Sequence, residues 1–67
     1  MPRVPTLTGK KLLKVLNKDG FILKHIEGSH HVMYHPDKHI VVSVPVHQGK
    51  DLGRGLTHSI LKQAKLL

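Results

Sequence analysis

The sequence has 67 residues, which suffices for one domain, and we expect a single domain over residues 1–67. Eleven Lys and Arg against four Asp and Glu give a formal net charge of +7, which favours an anionic partner, above all nucleic-acid phosphates. The absence of cysteine excludes disulfides, a thiolate nucleophile and a cysteine-based zinc site. No apolar run approaches the roughly 20 residues that span a bilayer, so we expect a cytoplasmic protein without a membrane partner.

The first predicted element is an amphipathic helix. Residues 1–5 are predicted to be extended, because each proline biases the preceding residue away from helix. Thr8 has the residue type of a helix N-cap, and Gly20 supplies a left-handed stop. Between them, apolar residues recur at helical spacing, namely Leu12, Leu13 and Leu16.

Three strands are predicted next, as an antiparallel meander. Turn residues at 27–29 and 36–38 separate stretches rich in β-branched and aromatic residues. Pro45 cannot donate a ladder hydrogen bond, which marks an edge strand or the last paired residue. The predicted strands are Phe21–Ile26, His30–His35 and His39–Val46.

A second amphipathic helix is predicted at the end of the sequence. A glycine-rich loop at 48–55 precedes it. Its apolar residues at helical spacing are Leu56, Ile60, Leu61, Ala64 and Leu67. The fold class is therefore α+β, in the order α-β-β-β-α around a three-stranded antiparallel sheet.

Two helices can cover only one face of this sheet. In the third strand the residues predicted on the covered side are Ile40, Val42, Val44 and Val46, and those predicted to point outward are Val41, Ser43 and His47. The pattern of the second strand does not show which of its residues are covered. Apolar residues occur in both of its alternating sets, so the face that carries His30 stays undetermined.

The carboxylates restrict the possible chemistry. Asp19, Glu27, Asp37 and Asp51 occur singly in or beside turns, which excludes the paired carboxylates of glycosidases and two-metal sites. No nucleophile-elbow motif surrounds Ser29 or Ser43. Chemistry that needs only a base and cations remains. RNA supplies its own nucleophile, the ribose 2′-OH, and a histidine with an unperturbed pKa of about 6.5 can accept that proton.

Among the histidines, His30 is the candidate catalytic residue. Gly28 and Ser29 precede it, glycine permits close approach of a ligand, and the two backbone amides can face a phosphate. The alternative for any strand histidine is a packed or solvated side chain, and we favour that interpretation for His25, His31, His35, His39 and His58. No two histidines are spaced i, i+4 on a predicted helix, and no pattern of a third ligand is evident, so we predict no metal site and no cofactor.

The lysines of the first helix have two interpretations. Lys10, Lys11 and Lys14, with Lys18, either form a solvated helix face or contact RNA. One Tyr and one Phe provide little surface for base stacking, which argues against a sequence-reading single-strand platform. The predicted substrate-binding set is Gly28, Ser29, Lys10, Lys11 and Lys14.

Five motifs along the chain occur together in a known protein family. They are Thr8–Lys10 opening a helix, Gly20–Phe21 closing it, Gly28–His31 at the second strand, Val44–His47 ending the third, and Ser59–Ala64 in the last helix. In the order and spacing of these motifs, nearly the whole chain resembles the HicA toxins of bacterial and archaeal toxin–antitoxin systems.

The resemblance implies a double-stranded-RNA-binding-domain-like fold with both helices on one face of the sheet. It implies a ribonuclease that cleaves messenger RNA independently of the ribosome and is held inactive by a HicB antitoxin from the adjacent gene. The catalytic histidine of the family's Gly-Ser-His motif corresponds to His30. The alternative is a non-catalytic basic RNA-binding module of the same fold, and a third possibility is a subunit whose basic face serves only a protein partner. The oligomeric state does not follow from the sequence.

Overall fold

A computed structural model describes residues 7–47 and 50–67. The elements are α1 (Gly9–Asp19), β1 (Ile22–Glu27), β2 (His30–His35), β3 (Ile40–Pro45) and α2 (Arg54–Gln63). Their order confirms the predicted α-β-β-β-α architecture. The predicted extended segment at 1–5 and part of the predicted loop, residues 48–49, lie outside the described residues.

Helix α1 begins and ends where the sequence predicts. The Thr8 hydroxyl accepts a hydrogen bond of 3.2 Å from the Lys11 amide, which satisfies one of the free donors of the first turn. Gly20 has φ +116°, and its N–H closes the helix on the Asn17 carbonyl. Within the described residues, neither helix is long and apolar enough to cross a membrane.

The three strands form one antiparallel sheet in the order β1-β2-β3. Pro45 is the last residue of the edge strand β3, as its missing N–H requires. Strand β1 contains a bulge, because the pairing shifts between Leu23 and His25 and leaves Lys24 outside the ladder.

Several boundaries differ from the predicted ones. Phe21 is fully buried but precedes β1, because its amide bonds to the Leu16 carbonyl and completes the end of α1. His39 belongs to the turn before β3, with φ +56°. Helix α2 begins at Arg54, inside the predicted loop, and ends at Gln63.

Both helices pack on one face of the sheet, which we call the covered face. The buried apolar residues are Leu12, Leu16, Phe21, Met33, Val42, Val44, Ile60, Leu61 and Ala64. Ile40 and Val46 pack against this core, and Val41 and Ser43 are exposed on the opposite, open face, which confirms the predicted faces of β3. Leu56 and Leu67 are 42% and 59% exposed, although the helical pattern predicted them to be packed.

A polar network around His35 joins the ends of both helices to β2. The Lys38 amide donates to His35 Nδ1 at 3.1 Å, so the proton lies on Nε2, which donates to the Asp19 carbonyl at 2.9 Å. The Lys38 ammonium donates to the Asp19 carboxylate at 2.7 Å and to the Ala64 carbonyl at 3.0 Å. The Phe21 ring packs edge-on against the imidazole at 5.0 Å. His35 is thus a packed histidine, as predicted.

Candidate functional site

His30 lies on the open face of the sheet, at the first position of β2. It pairs with Glu27 of β1 and Pro45 of β3. Met33 and His35 are buried on the covered face, and the alternation of a strand therefore directs His30 to the other side. The structure answers the question that the sequence pattern left undetermined.

The His30 imidazole is exposed and has one polar neighbour. Its Nδ1 lies 3.4 Å from the Ser43 hydroxyl oxygen, and this long contact is the ring's only hydrogen bond within the described residues. The arrangement leaves Nε2 to exchange a proton with a bound molecule. Ser43 is not among the predicted site residues, although its outward position on β3 follows from the sequence pattern.

The turn before His30 leaves room for a ligand. Gly28 has φ +58°, and a Cβ placed on it would meet nothing within 4 Å. The Ser29 carbonyl accepts a 2.7 Å hydrogen bond from the Val46 amide, which fixes the turn to the residue after β3. A molecule can therefore approach the backbone of 28–29 while the turn stays anchored.

A carboxylate also faces the site. Glu27 is the direct cross-strand partner of His30, so both side chains project from the open face. Its Oε1 lies 3.5 Å from Nε2 of His25, which lies on the same face. Both side chains are well exposed. The sequence pattern places Glu27 in a turn and gives no sign of its position opposite His30.

The first turn of α1 lies at the same end of the sheet as His30. A Cβ on Gly9 would lie 2.6 Å from the Pro45 carbonyl oxygen, and Pro45 is the cross-strand partner of His30. Lys10 and Lys11 follow Gly9 and are exposed. The structure therefore brings these two predicted substrate-binding residues to the end of the molecule that carries His30.

Further cations reach this end through the segment before α2. Thr8 forms an isolated bridge with Asp51, and the Lys50 amide bonds to the His47 carbonyl at 3.1 Å. Lys50 and Arg54, both exposed, flank that bridge in sequence. Neither residue is among the predicted site residues, because they come close to α1 only through the bridge between Thr8 and Asp51.

Lys14 is separated from His30. It lies one turn beyond Lys11 and lines a groove between α1 and the covered side of β1 and β2. His31, the neighbour of His30, lines the same groove, on the face opposite His30. The predicted set therefore divides between the two sides of the sheet, and its role in substrate binding stays a prediction.

In the described parts of the chain, no three His, Asp or Glu side chains come together in an arrangement that could hold a metal ion. The Ser43 hydroxyl contacts the His30 ring, and Glu27 lies opposite His30 on β1. Such a set can exchange protons and bind an anion.

Comparison with known protein families assigns most of the chain to one of them. A family model described as "HicA toxin of bacterial toxin-antitoxin" matches residues 9–66, which span α1 to the residues after α2. The matched range contains Gly28, Ser29, His30 and the three lysines of the predicted site. A search of curated proteins finds no match.

Proposed function

The chain belongs to the HicA toxin family, and from this premise we propose that it is an endoribonuclease that cleaves messenger RNA with His30 as general base or acid. The observation that carries the proposal is the exposed His30 imidazole at a strand start, beside a turn that leaves open space at Gly28. Family membership also pairs the chain with an antitoxin.

The proposed reaction uses the nucleophile that RNA supplies. The ribose 2′-oxygen attacks phosphorus and gives up its proton, the bond from phosphorus to the 5′-oxygen breaks, and that oxygen takes up a proton. The products are a 2′,3′-cyclic phosphate and a 5′-hydroxyl. One positioned base or acid contributes about 10²- to 10⁴-fold in rate, so His30 accounts for a slow, regulated cleavage. The second proton-transfer group is not assigned.

Cations at the His30 end of the sheet would hold the RNA. Lys10 and Lys11 contact phosphates in this proposal, and the amides of Gly28 and Ser29 bind the phosphate at which cleavage occurs. The mechanism is independent of metal ions, because protons move through the imidazole and charge is balanced by lysines and amides.

The antitoxin is proposed to be a HicB-like protein from the adjacent gene that covers His30. A partner with acidic or hydrogen-bonding groups complements the +7 charge of this chain. Because messenger RNA is the proposed substrate, we propose that the protein acts in the cytoplasm.

The alternative function is a non-catalytic RNA-binding module of the same fold. The basic end of the sheet supports either function, because phosphate contacts require no chemistry. His30 distinguishes them. A binding module tolerates its loss, whereas an endoribonuclease does not.

The test is His30→Ala, with His58→Ala as the matched control that removes an exposed imidazole from α2. We expect His30→Ala to lower RNA cleavage by about 10²-fold or more and to abolish growth inhibition. Its melting temperature should stay nearly unchanged, because the side chain is exposed. Full cleavage by a folded His30→Ala variant would support the binding-module alternative.

The same cleavage assay is run in EDTA. We expect activity to persist and the products to carry a 2′,3′-cyclic phosphate or its opened form. If chelation abolishes cleavage and a divalent ion restores it, the metal-independent mechanism is wrong, whatever the result for His30.

A further inference from the structure

A groove of about 490 Å³ lies on the covered side of the sheet, beside β1. It arises because the helices pack chiefly against β3, while all six residues of β1 remain exposed. We call it the α1-β1 groove, and its lining residues are Leu13, Lys14, Asn17, Lys18, Leu23, His31 and Met33.

The floor of the α1-β1 groove is apolar and continuous with the core. Met33 is buried in the core and also lines the groove, and Leu23 is its direct partner on β1. Leu23 is 50% exposed, although its cross-strand partner on the same face is buried. Ile26, the other covered-side residue of β1, is 53% exposed. Apolar surface on the core side of a sheet thus remains open to solvent.

His31, which lines the groove, carries a buried polar atom that has no partner among residues 7–47 and 50–67. Nδ1 of His31 is inaccessible to solvent and makes no hydrogen bond among the described residues. Such an atom destabilises the free protein, because it has lost water without gaining a partner. A bound molecule that shifts the ring, so that this nitrogen gains a hydrogen-bond partner, removes the cost.

The rim of the groove is positively charged. Lys14 and Lys18 lie on it, and the lining contains no carboxylate. Asp19, which follows Lys18, is held by the Lys38 ammonium at 2.7 Å and cannot neutralise the rim. An occupant with carboxylates beside an apolar side chain complements both the rim and the floor.

These features select among possible occupants. A second copy of this +7 chain would bring lysines against lysines. RNA would stack its bases on aromatic rings, and the only ring in the groove lining is the half-buried imidazole of His31. A strand added to the edge of β1 would meet the bulge and the side chain of Lys24, two features that hinder edge pairing.

We propose that the α1-β1 groove docks an acidic segment of the antitoxin, which inserts an apolar side chain between Leu13 and Leu23 and places carboxylates beside Lys14 and Lys18. This inference rests on the antitoxin pairing in the proposed function, not on RNA cleavage. It gives the antitoxin an anchor on the face of the sheet opposite His30.

Leu23→Glu tests the anchor, and Ile22→Glu is its matched control. The two residues are adjacent on β1, 50% and 52% exposed, and project from opposite faces. With the purified antitoxin encoded beside this chain as probe, we expect the Kd of Leu23→Glu to rise about 10- to 100-fold and that of Ile22→Glu to change by no more than about twofold. Unchanged affinity in a folded Leu23→Glu variant overturns the proposal, as does an equal loss in both variants.

Lys18→Glu provides a second test that leaves the apolar floor intact, with Lys62→Glu as control. Each lysine is exposed in the last turn of its helix, so both changes alter net charge and helix electrostatics alike. We expect Lys18→Glu to weaken antitoxin binding about tenfold more than Lys62→Glu. Equal effects of the two variants overturn the proposal.

RNA binding by the same variants separates the two proposals. A loss of RNA affinity in Lys18→Glu and Leu23→Glu beyond that of their controls, with antitoxin affinity intact, assigns the groove to RNA and overturns the docking proposal. Absence of cleavage by the wild-type chain contradicts the proposed ribonuclease function alone, because the comparison of Kd values does not depend on cleavage.

Discussion

The two histidines at opposite ends of β2 differ in burial and in their hydrogen bonds. His30 is exposed on the open face, with one long contact to Ser43. His35 is 6% exposed, and both of its ring nitrogens are hydrogen-bonded. A histidine that transfers protons needs a free ring nitrogen and access to solvent. Of these two histidines, only His30 has both. The structural role of His35 follows from its partners, Asp19 and Lys38.

We predict that His35→Ala destabilises the fold by about 2 to 4 kcal/mol, because it leaves a cavity and deprives the Lys38 amide and the Asp19 carbonyl of their partner. His58→Ala should change stability by less than about 0.5 kcal/mol, because the side chain is exposed on α2. Urea denaturation of the two variants measures the difference. Equal stability would mean that the His35 network contributes nothing.

Individual residues also mark the limit of the sequence pattern. The candidate His30 could be selected from Gly28 and Ser29, but its face could not, because Val32 and Tyr34 in one alternating set are as apolar as Met33 in the other. Only the cross-strand pairing settles which set is buried. The contact with Ser43 depends on the same register and has no local sequence signal.

At the scale of elements, α1 links the fold to the candidate site. Its first residue, Gly9, is buried against the backbone at Pro45 and Val46. A Cβ at this position would lie 2.6 Å from a carbonyl oxygen and 2.9 Å from a Cα, distances that no rotamer change can relieve. The absence of a side chain at Gly9 therefore sets how closely Lys10 and Lys11 approach the end of β3.

We predict that Gly9→Ala destabilises the protein by about 1 to 3 kcal/mol, because α1 must move away from β3. Gly55→Ala is the matched control in α2, where a Cβ meets nothing within 4 Å. This control should be stabilising by about 0.5 to 1 kcal/mol, since alanine favours helix. Thermal unfolding of both variants tests this. A neutral Gly9→Ala would show that α1 can shift at no cost.

Elements with local signals were predicted better than those without. Thr8 and Gly20 mark the ends of α1, and their cap hydrogen bonds form as their residue types predict. Helix α2 begins two residues before the predicted start. The sequence carries no signal for this, because Gly53 offers no side-chain cap and Gly55 has poor helix propensity. Thr57 is buried, and its hydroxyl donates to the Gly53 carbonyl. The spacing of apolar residues does not predict a buried threonine at this position.

For the whole molecule, charge is the dominant property. The chain has four Asp and Glu residues against eleven Lys and Arg residues, and Asp19 is already paired with Lys38 in the His35 network. Asp51 lies beside Thr8, close to the cations of the candidate site. The excess positive charge therefore remains available for RNA and for an acidic partner alike.

We predict a steep salt dependence of RNA binding. Contact with about three to five phosphates of single-stranded RNA gives a slope of about −2 to −3.5 in log K against log salt. Lys11→Glu should weaken binding to unrelated sequences alike, whereas Lys62→Glu reports the effect of net charge alone. A titration of binding against salt measures the slope. A flat profile would indicate that the charge serves a protein partner.

The bulge in β1 has a consequence for chain length. Lys24 lies outside the ladder, so Leu23 and His25 point to opposite faces, as two adjacent residues of a regular strand do. A strand without Lys24 would therefore keep the same faces. Loss of this single residue would leave Glu27 opposite His30 and Leu23 in the α1-β1 groove. Insertion or loss of a residue between 25 and 27 would instead reverse the faces of the side chains before it and take Leu23 out of the α1-β1 groove, because the turn at 28–29 keeps Glu27 opposite His30. Position 24 is therefore where β1 can lose a residue without a change in what surrounds His30.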